Sequence, residues 1–330
     1  IVTASPSGFP PADIQWVRVQ RNIQPTLAID KSTLDFVTTQ GQNPAAQTFA
    51  ISNSTEGTLN WATSIGGTGP AWLTVSPTSG TGARTVTANV NAGSLAPGTY
   101  TRTITVTAAG ASNSPQTITV NLTVLPAGTT HYQFDYANRT AFLNAGWDYL
   151  ARTANGTARN TETTTGATVA YNHNGALRIP ADIGDLWAGA NNTRNSIFRD
   201  LPTNWTSATA KIRFAPTQNT QQAGLVIYQD DDNYVQITRA YVNGQNVSLV
   251  NEHNGDAAVT HAAATTATDF YLRLERTNGT TITAAYSTDG TTWNTVGTQN
   301  RALTNPRLGL IVTASPSGFP PADIQWVRIG

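Results

Sequence analysis

The chain has 330 residues, 39% hydrophobic and 12% charged, with 19 basic and 19 acidic side chains and a formal net charge of +0. Lys31 and Lys211 are its lysines, so no basic face can gather phosphates. That excludes nucleic acid as a partner, and the absence of a long apolar run excludes direct membrane insertion. With 0 Cys and 0 Met, disulfides and thiol catalysis are excluded too, a composition suited to an extracellular or cell-surface location.

The length allows two or three domains, and 27 Gly, 17 Pro and abundant Thr predict an all-β protein of many short strands. No signal peptide opens the chain, so the targeting segment of a secreted protein is expected outside this window.

Residues 1–20 hold two short strand-like runs, "IVTAS" and "ADIQWVRV", split by "PSGFPP". The same words return at 311–328, identical from Ile1 to Arg18. A spacing of about 310 residues holds more than one domain, so the repeat concerns a block of domains. Two strands cannot bury a core alone. Residues 1–20 are therefore expected to belong to, or to complement, a neighbouring copy of whatever domain ends at 311–330.

Residues 26–125 alternate clearly in "TVTANV" and "TRTITVT", with turn signals about every ten residues, which predicts a β-sandwich. The stretches "WLTVSPTSGTG" from Trp72 and "LAPGTYTRTITV" from Leu95 resemble the BACON family of immunoglobulin-like domains. That resemblance implies an immunoglobulin-like sandwich, a spacer role or carbohydrate binding. Trp72 and Pro77 read as core and turn.

After the hinge "LPAGTTHYQ", residues 129–330 read as a second set of strands, with turns at "DDDN" (230–233), Asn243–Gly244 and Asp289–Gly290. Here "AGLVIYQDDDNYVQITR" (223–239), "YSTDGTTWNTVG" (286–297) and "IQWVRI" (324–329) resemble the concanavalin-like (laminin-G-like) sandwich domains of the DUF1349 group, found behind the catalytic domains of some β-xylosidases. The expected architecture is two tandem β-sandwiches, immunoglobulin-like and concanavalin-like jelly roll, plus the N-terminal two-strand segment.

A retaining glycosidase needs two carboxylates about 5 Å apart. None of Glu56, Glu162, Glu252 and Glu275 has an acid two residues away. No G-x-S-x-G elbow occurs, and His131, His173, His253 and His261 lack metal-ligand spacing. The chain is therefore read as non-catalytic, with no cofactor. Asp230, Asp231 and Asp232 offer a candidate calcium loop, set against an ordinary hairpin turn. "NEHNGD" (251–256) reads as a turn.

Trp147, Trp187 and Trp205 are candidate carbohydrate platforms, with Tyr149 and Asn191 as sequence neighbours and core burial as the competing reading. Ile14, Trp16 and Val17, with their copies Ile324, Trp326 and Val327, are candidate assembly residues. In "DIQWVRI", Ile and Val are expected on one face and Trp on the other. Asn-x-Ser/Thr occurs at Asn53, Asn121, Asn138, Asn155, Asn191, Asn204, Asn246 and Asn278, a number that a Thr-rich chain generates by chance.

Two functions are expected from these features. One is a structural or adhesive unit of an extracellular filament or tandem-repeat surface protein, its partners other copies of itself joined head to tail by strand complementation. The alternative is a carbohydrate-binding accessory pair of a secreted glycoside hydrolase, its partner a polysaccharide or glycoprotein.

Overall fold

The structure, a computed structural model, describes residues 23–152, 158–160, 168–314 and 320–330. Residues Ile14, Trp16 and Val17 lie outside the described residues. Two compact units part between Leu125 and Pro126.

The first unit is built from β1 (Leu27–Ile29), β2 (Thr33–Thr39), β3 (Gln47–Asn53), β4 (Asn60–Gly66), β5 (Leu73–Ser76), β6 (Ser79–Thr81), β7 (Arg84–Val90), β8 (Gly98–Ala108) and β9 (Gln116–Leu125). They form a four-stranded sheet, β1-β3-β7-β5, and a five-stranded sheet, β2-β9-β8-β4-β6. In β8 and β9 the Thr residues alternate with Ile104, Val106, Ile118, Val120 and Leu122, all at 0% exposure. Each such side chain contributes about 1.5–3 kcal/mol on leaving water. Trp61 and Trp72 are buried in the same core. The indole N–H of Trp61 donates to the Gly82 carbonyl at 3.0 Å. Gly80 lies against the Trp61 ring, where a Cβ would approach its Cζ2 to 2.6 Å, so only glycine fits there.

The second unit opens with β10 (Thr130–Gln133), α1 (Arg139–Asn144), β11 (Leu150–Arg152), β12 (Ala158–Asn160), β13 (Ala170–His173) and β14 (Ala176–Ile179). Then come β15 (Asp182–Ile183), β16 (Leu186–Trp187), β17 (Ala190–Asn191), β18 (Ile197–Asp200), β19 (Ser207–Arg213), β20 (Gln222–Asp230), β21 (Asn233–Tyr241) and β22 (Gln245–His253). It closes with β23 (Asp256–Ala264), β24 (Asp269–Thr277), β25 (Thr281–Ser287), β26 (Asn294–Asn300), β27 (Arg307–Ala314) and β28 (Ala322–Ile329).

An eight-stranded sheet runs β13-β14-β28-β19-β24-β25-β26, with β10 also on β28. A seven-stranded sheet runs β15-β27-β20-β21-β22-β23, with β18 also on β27. Inward side chains of both sheets form one apolar core, from Ile212, Leu272 and Ile324 on one side to Leu225, Ile237 and Leu310 on the other. The chain is thus nearly all β in the described residues, as expected, and α1 is only 6 residues long. It is capped by Asn138, whose side chain accepts from the Ala141 N–H at 3.0 Å.

β28 sits inside its sheet. One edge pairs with β19 and the other is shared by β14 and β10. The Arg178 guanidinium donates to both oxygens of Asp323 at 2.7 Å each, pinning β14 to β28 with the two-pronged geometry that suits these groups.

Candidate functional site

Ile324 and Val327 are at 0% exposure in the core of their own sandwich, so within this chain they are core residues with both strand edges already paired. Trp326 lies on the opposite face, half-buried, with the Arg328 guanidinium 3.9 Å over its ring and His131 and Tyr271 rings at 5.8 Å.

Trp147 and Trp205, two of the expected platforms, are 1% and 2% exposed. Trp147 is packed by Phe134 at 5.4 Å, Tyr132 at 5.5 Å and Phe142 at 6.0 Å. With aromatic rings crowded round it, no ring face is left for a sugar, and Trp147 is a core residue. Tyr149 is buried beside it.

Trp187 is half-buried on a hairpin, β16 and β17, that lies over the outer face of the seven-stranded sheet. The Ala188 N–H donates to Glu252 Oε2 at 2.9 Å, and the Tyr234 hydroxyl donates to the Leu186 carbonyl. Glu252 is at 0% exposure. Burial pushes its carboxyl above the usual range, an effect that Asp232 and Asp231 strengthen and the Ala188 N–H and Tyr234 oppose. "NEHNGD" is therefore only partly a turn: Asn254 and Gly255 make it, at φ 53 and 83, while Glu252 is a buried strand residue.

The carboxylates at 230–232 are used by their own hairpin. Asp230 accepts from the Asp232 N–H and the Asn233 amide at 3.0 Å each and from Gln229 Nε2 at 2.9 Å. Asp231 is buried and accepts from the Tyr228 hydroxyl at 2.8 Å. Among the described residues no group of three or more His, Cys, Asp or Glu could hold a metal ion, so the geometry here is that of a satisfied turn.

A recess forms instead at one end of the second sandwich, where strands β18, β20, β24 and β27 meet their loops. It is a cleft of about 560 Å3, within the range common for small-ligand sites. Trp205 lines it, together with Asp200, Thr203, Gln229, Arg276 and Thr304. The Arg276 guanidinium lies 4.6 Å over the Trp205 ring and donates to the Thr203 carbonyl at 2.9 Å. Gln229 Oε1 accepts from the Thr304 N–H at 2.8 Å, which ties the loop before β27 to β20. Arg307, another lining residue, donates to Asp200 at 2.8 Å and to Asp148 at 2.5 Å. Asp200 is the one acid among the lining residues.

Sequence reasoning picked Trp205 and missed its neighbours. Gln229, Arg276 and Thr304 come from β20, β24 and the loop before β27, dozens of residues further along the chain, and no local motif links them to Trp205.

Residues 157–309 match the family of β-xylosidase C-terminal concanavalin A-like domains. Residues 26–125 match the viral BACON domain family. Among solved structures, the chain is similar to the GH43 BlXynB protein from Bacillus licheniformis, at 16% identity and a TM-score of 0.51 over 70% of this chain and 51% of that one. It is also similar to the GH43B protein of a Bacteroides ovatus xyloglucan PUL, at 16% identity and a TM-score of 0.50 over 71% and 51%. For a xylan β-1,4-xylosidase from Bacillus halodurans the values are 15% and 0.50 over 70% and 51%. At these identities the likeness is one of fold. The chain spans about half the length of these solved proteins, 51% in each case. No curated protein matches it.

The family matches agree with the resemblances read from the sequence in a BACON domain at 26–125 and a concanavalin-like domain after it, while the DUF1349 group is not the family matched. Among the described residues, no helix is long and apolar enough to cross a membrane.

Proposed function

We propose that this chain is a non-catalytic accessory pair of a glycoside hydrolase system acting outside the cell, in which the second sandwich binds plant-type polysaccharide at its end cleft and the BACON sandwich serves as spacer. The observation that carries this reading is the cleft itself. It has sugar-scale volume, a tryptophan in its wall and polar side chains from several strand ends and loops, yet only one carboxylate, Asp200. Hydrolysis of a glycosidic bond needs two, so the cleft is fitted to hold a sugar and not to cut it. The match to β-xylosidase C-terminal domains supports the same association.

The test is affinity electrophoresis of the full chain in gels containing soluble xylan or xyloglucan, alongside an assay for released reducing sugar. Retardation without release is expected. Unretarded migration in both gels, or release of sugar, would overturn the reading.

We also propose, as a second reading favoured by the identity of residues 1–18 with 311–328, that residues 1–20 are the closing strands of a preceding copy of the second sandwich, so that the chain is one period of a head-to-tail array. The strand position for this sequence inside the present sandwich is filled by β28 on both edges. That occupancy supports placing a second copy of the same words in another sandwich. Mass spectrometry of the mature protein tests this: a polypeptide holding several such periods is expected, and a single period would contradict it.

A further inference from the structure

One cation of the end cleft is left without the partner its chemistry calls for. Trp205 is 2% exposed, and its indole Nε1 is buried with no acceptor. The indole N–H of Trp147, a core residue, is in the same state, so the Trp205 N–H is read as part of the wall and not as a ligand contact. Arg276 is half-buried and makes one side-chain hydrogen bond, to the Thr203 carbonyl. No carboxylate lies within ion-pair distance of it among the described residues.

The acids nearby are already committed. Glu275 faces Arg273 at 3.3 Å, and Asp200 faces Arg307 at 2.8 Å. Arg307 is held by two carboxylates, Asp148 and Asp200, whereas Arg276 has none. Its guanidinium lies 4.6 Å over the Trp205 ring, a contact that uses none of its remaining N–H groups.

The unmet group is a permanent cation with free N–H donors. A neutral sugar could offer the guanidinium a hydroxyl oxygen but would leave it without a counter-charge. A carboxylate meets it with two parallel hydrogen bonds, the geometry that best suits arginine.

We infer that the cleft selects an acidic sugar, a uronic acid residue on its polysaccharide, with Arg276 holding the carboxylate and Trp205 lining the pocket for the ring that bears it. This inference rests on the sugar-binding reading above and adds the ligand's charge to it. Arg307 is not the selecting cation, because its own acids neutralise it. Gln229 is tied to Thr304 and Asp230, so it shapes the wall rather than reads the ligand.

The test is calorimetric titration of the full chain with a glucuronic-acid-substituted xylo-oligosaccharide and with the same oligosaccharide after reduction of its carboxyl group. A Glu-rich peptide serves as a third titrant. The acidic sugar is expected to bind at least tenfold more tightly than the reduced one, with an advantage that shrinks as salt is raised. Arg276→Ala should erase that advantage, bringing the acidic and reduced sugars to equal affinity. Arg276→Lys, which keeps the charge but loses the fork and the stacking plane, should restore only part of it.

Trp205→Phe shrinks the wall on which Arg276 lies, and should weaken both sugars together. Thermal melts of each variant separate loss of contact from loss of fold. Equal affinity for the two sugars in the wild-type chain would overturn the inference and leave sugar binding standing. Binding of neither would overturn the sugar reading itself. Tighter binding of the acidic peptide than of either sugar would assign the cleft to a protein partner and overturn the inference.

Discussion

Ile324 and Val327 both point into the core of the second sandwich, although they stand three residues apart on one strand. Strict alternation would put them on opposite faces. The structure resolves this with a bulge: Ile324 pairs with Ile212 and Trp326 with Lys211, leaving Gln325 without a partner on β19. The expected division of "DIQWVRI" into an Ile and Val face and a Trp face is thus real, and it depends on one extra residue.

Deleting Gln325 should therefore be tolerated, because the remaining residues alternate with every core side chain still inward. The Gln325 carbonyl accepts from Gln133 Nε2 at 3.2 Å, so a cost of about 1–2 kcal/mol is expected from that bond and local twist. Deleting Ile237 from the regular strand β21 should instead reverse the faces beyond it and unfold the second sandwich. Urea melts followed by tryptophan fluorescence distinguish the two deletions. Equal damage from both would refute the bulge argument.

Of the expected sugar platforms, Trp147 is the most enclosed. Trp147→Ala should cost about 3–5 kcal/mol, since it opens a cavity among Phe134, Phe142 and Tyr132. Trp187→Ala, on the half-buried hairpin, should cost no more than about 1–2 kcal/mol. Reversed magnitudes in denaturant titration would contradict the burial assignments.

The stability of the second sandwich should fall toward both ends of the pH range. Burial, helped by Arg328 and opposed by Gln133, holds His131 down to about 4 from the ordinary 6.5. The stability it contributes is complete above 6.5 and is lost as pH falls through about 4. Glu252 has the opposite sign. Its folded-state value is raised, so its contribution is complete below the ordinary 4.5 and is lost as pH rises through the folded value. Asp185, also raised by burial, moves the same way.

Melting temperature against pH should show both limbs. His131→Gln should flatten the acid limb, and Glu252→Gln should reduce the slope on the other side. Unchanged slopes in these variants would contradict the assignment.

The sandwiches were legible because alternation is a local signal. The runs "TRTITVT" and "AGLVIYQ" contain their own burial pattern, and the turns at Asn243–Gly244 and Asp289–Gly290 need residues that accept positive φ, which is seen at 52, 132 and 79 for Asn243, Gly244 and Gly290. The hairpin bearing Trp187 was not legible, since its strands are 2 residues each and no periodicity develops over so short a length. Glu252 reads as a surface acid in "NEHNGD", and only the Ala188 N–H and Tyr234, distant in sequence, make its burial tolerable. The cleft could not be read for the same reason: Arg276 reaches Trp205 only because β24 and the loop after β18 end side by side.

The central claim, that the end cleft is where a polysaccharide binds, is tested most directly by blocking it. Thr304 lines the cleft and is exposed, so Thr304→Trp should fill the recess without disturbing the core. Titration of wild-type and Thr304→Trp chains with xylan-derived oligosaccharides, read by calorimetry, should show binding in the first and none in the second at equal melting temperature. Undiminished binding by the blocked chain would contradict the account.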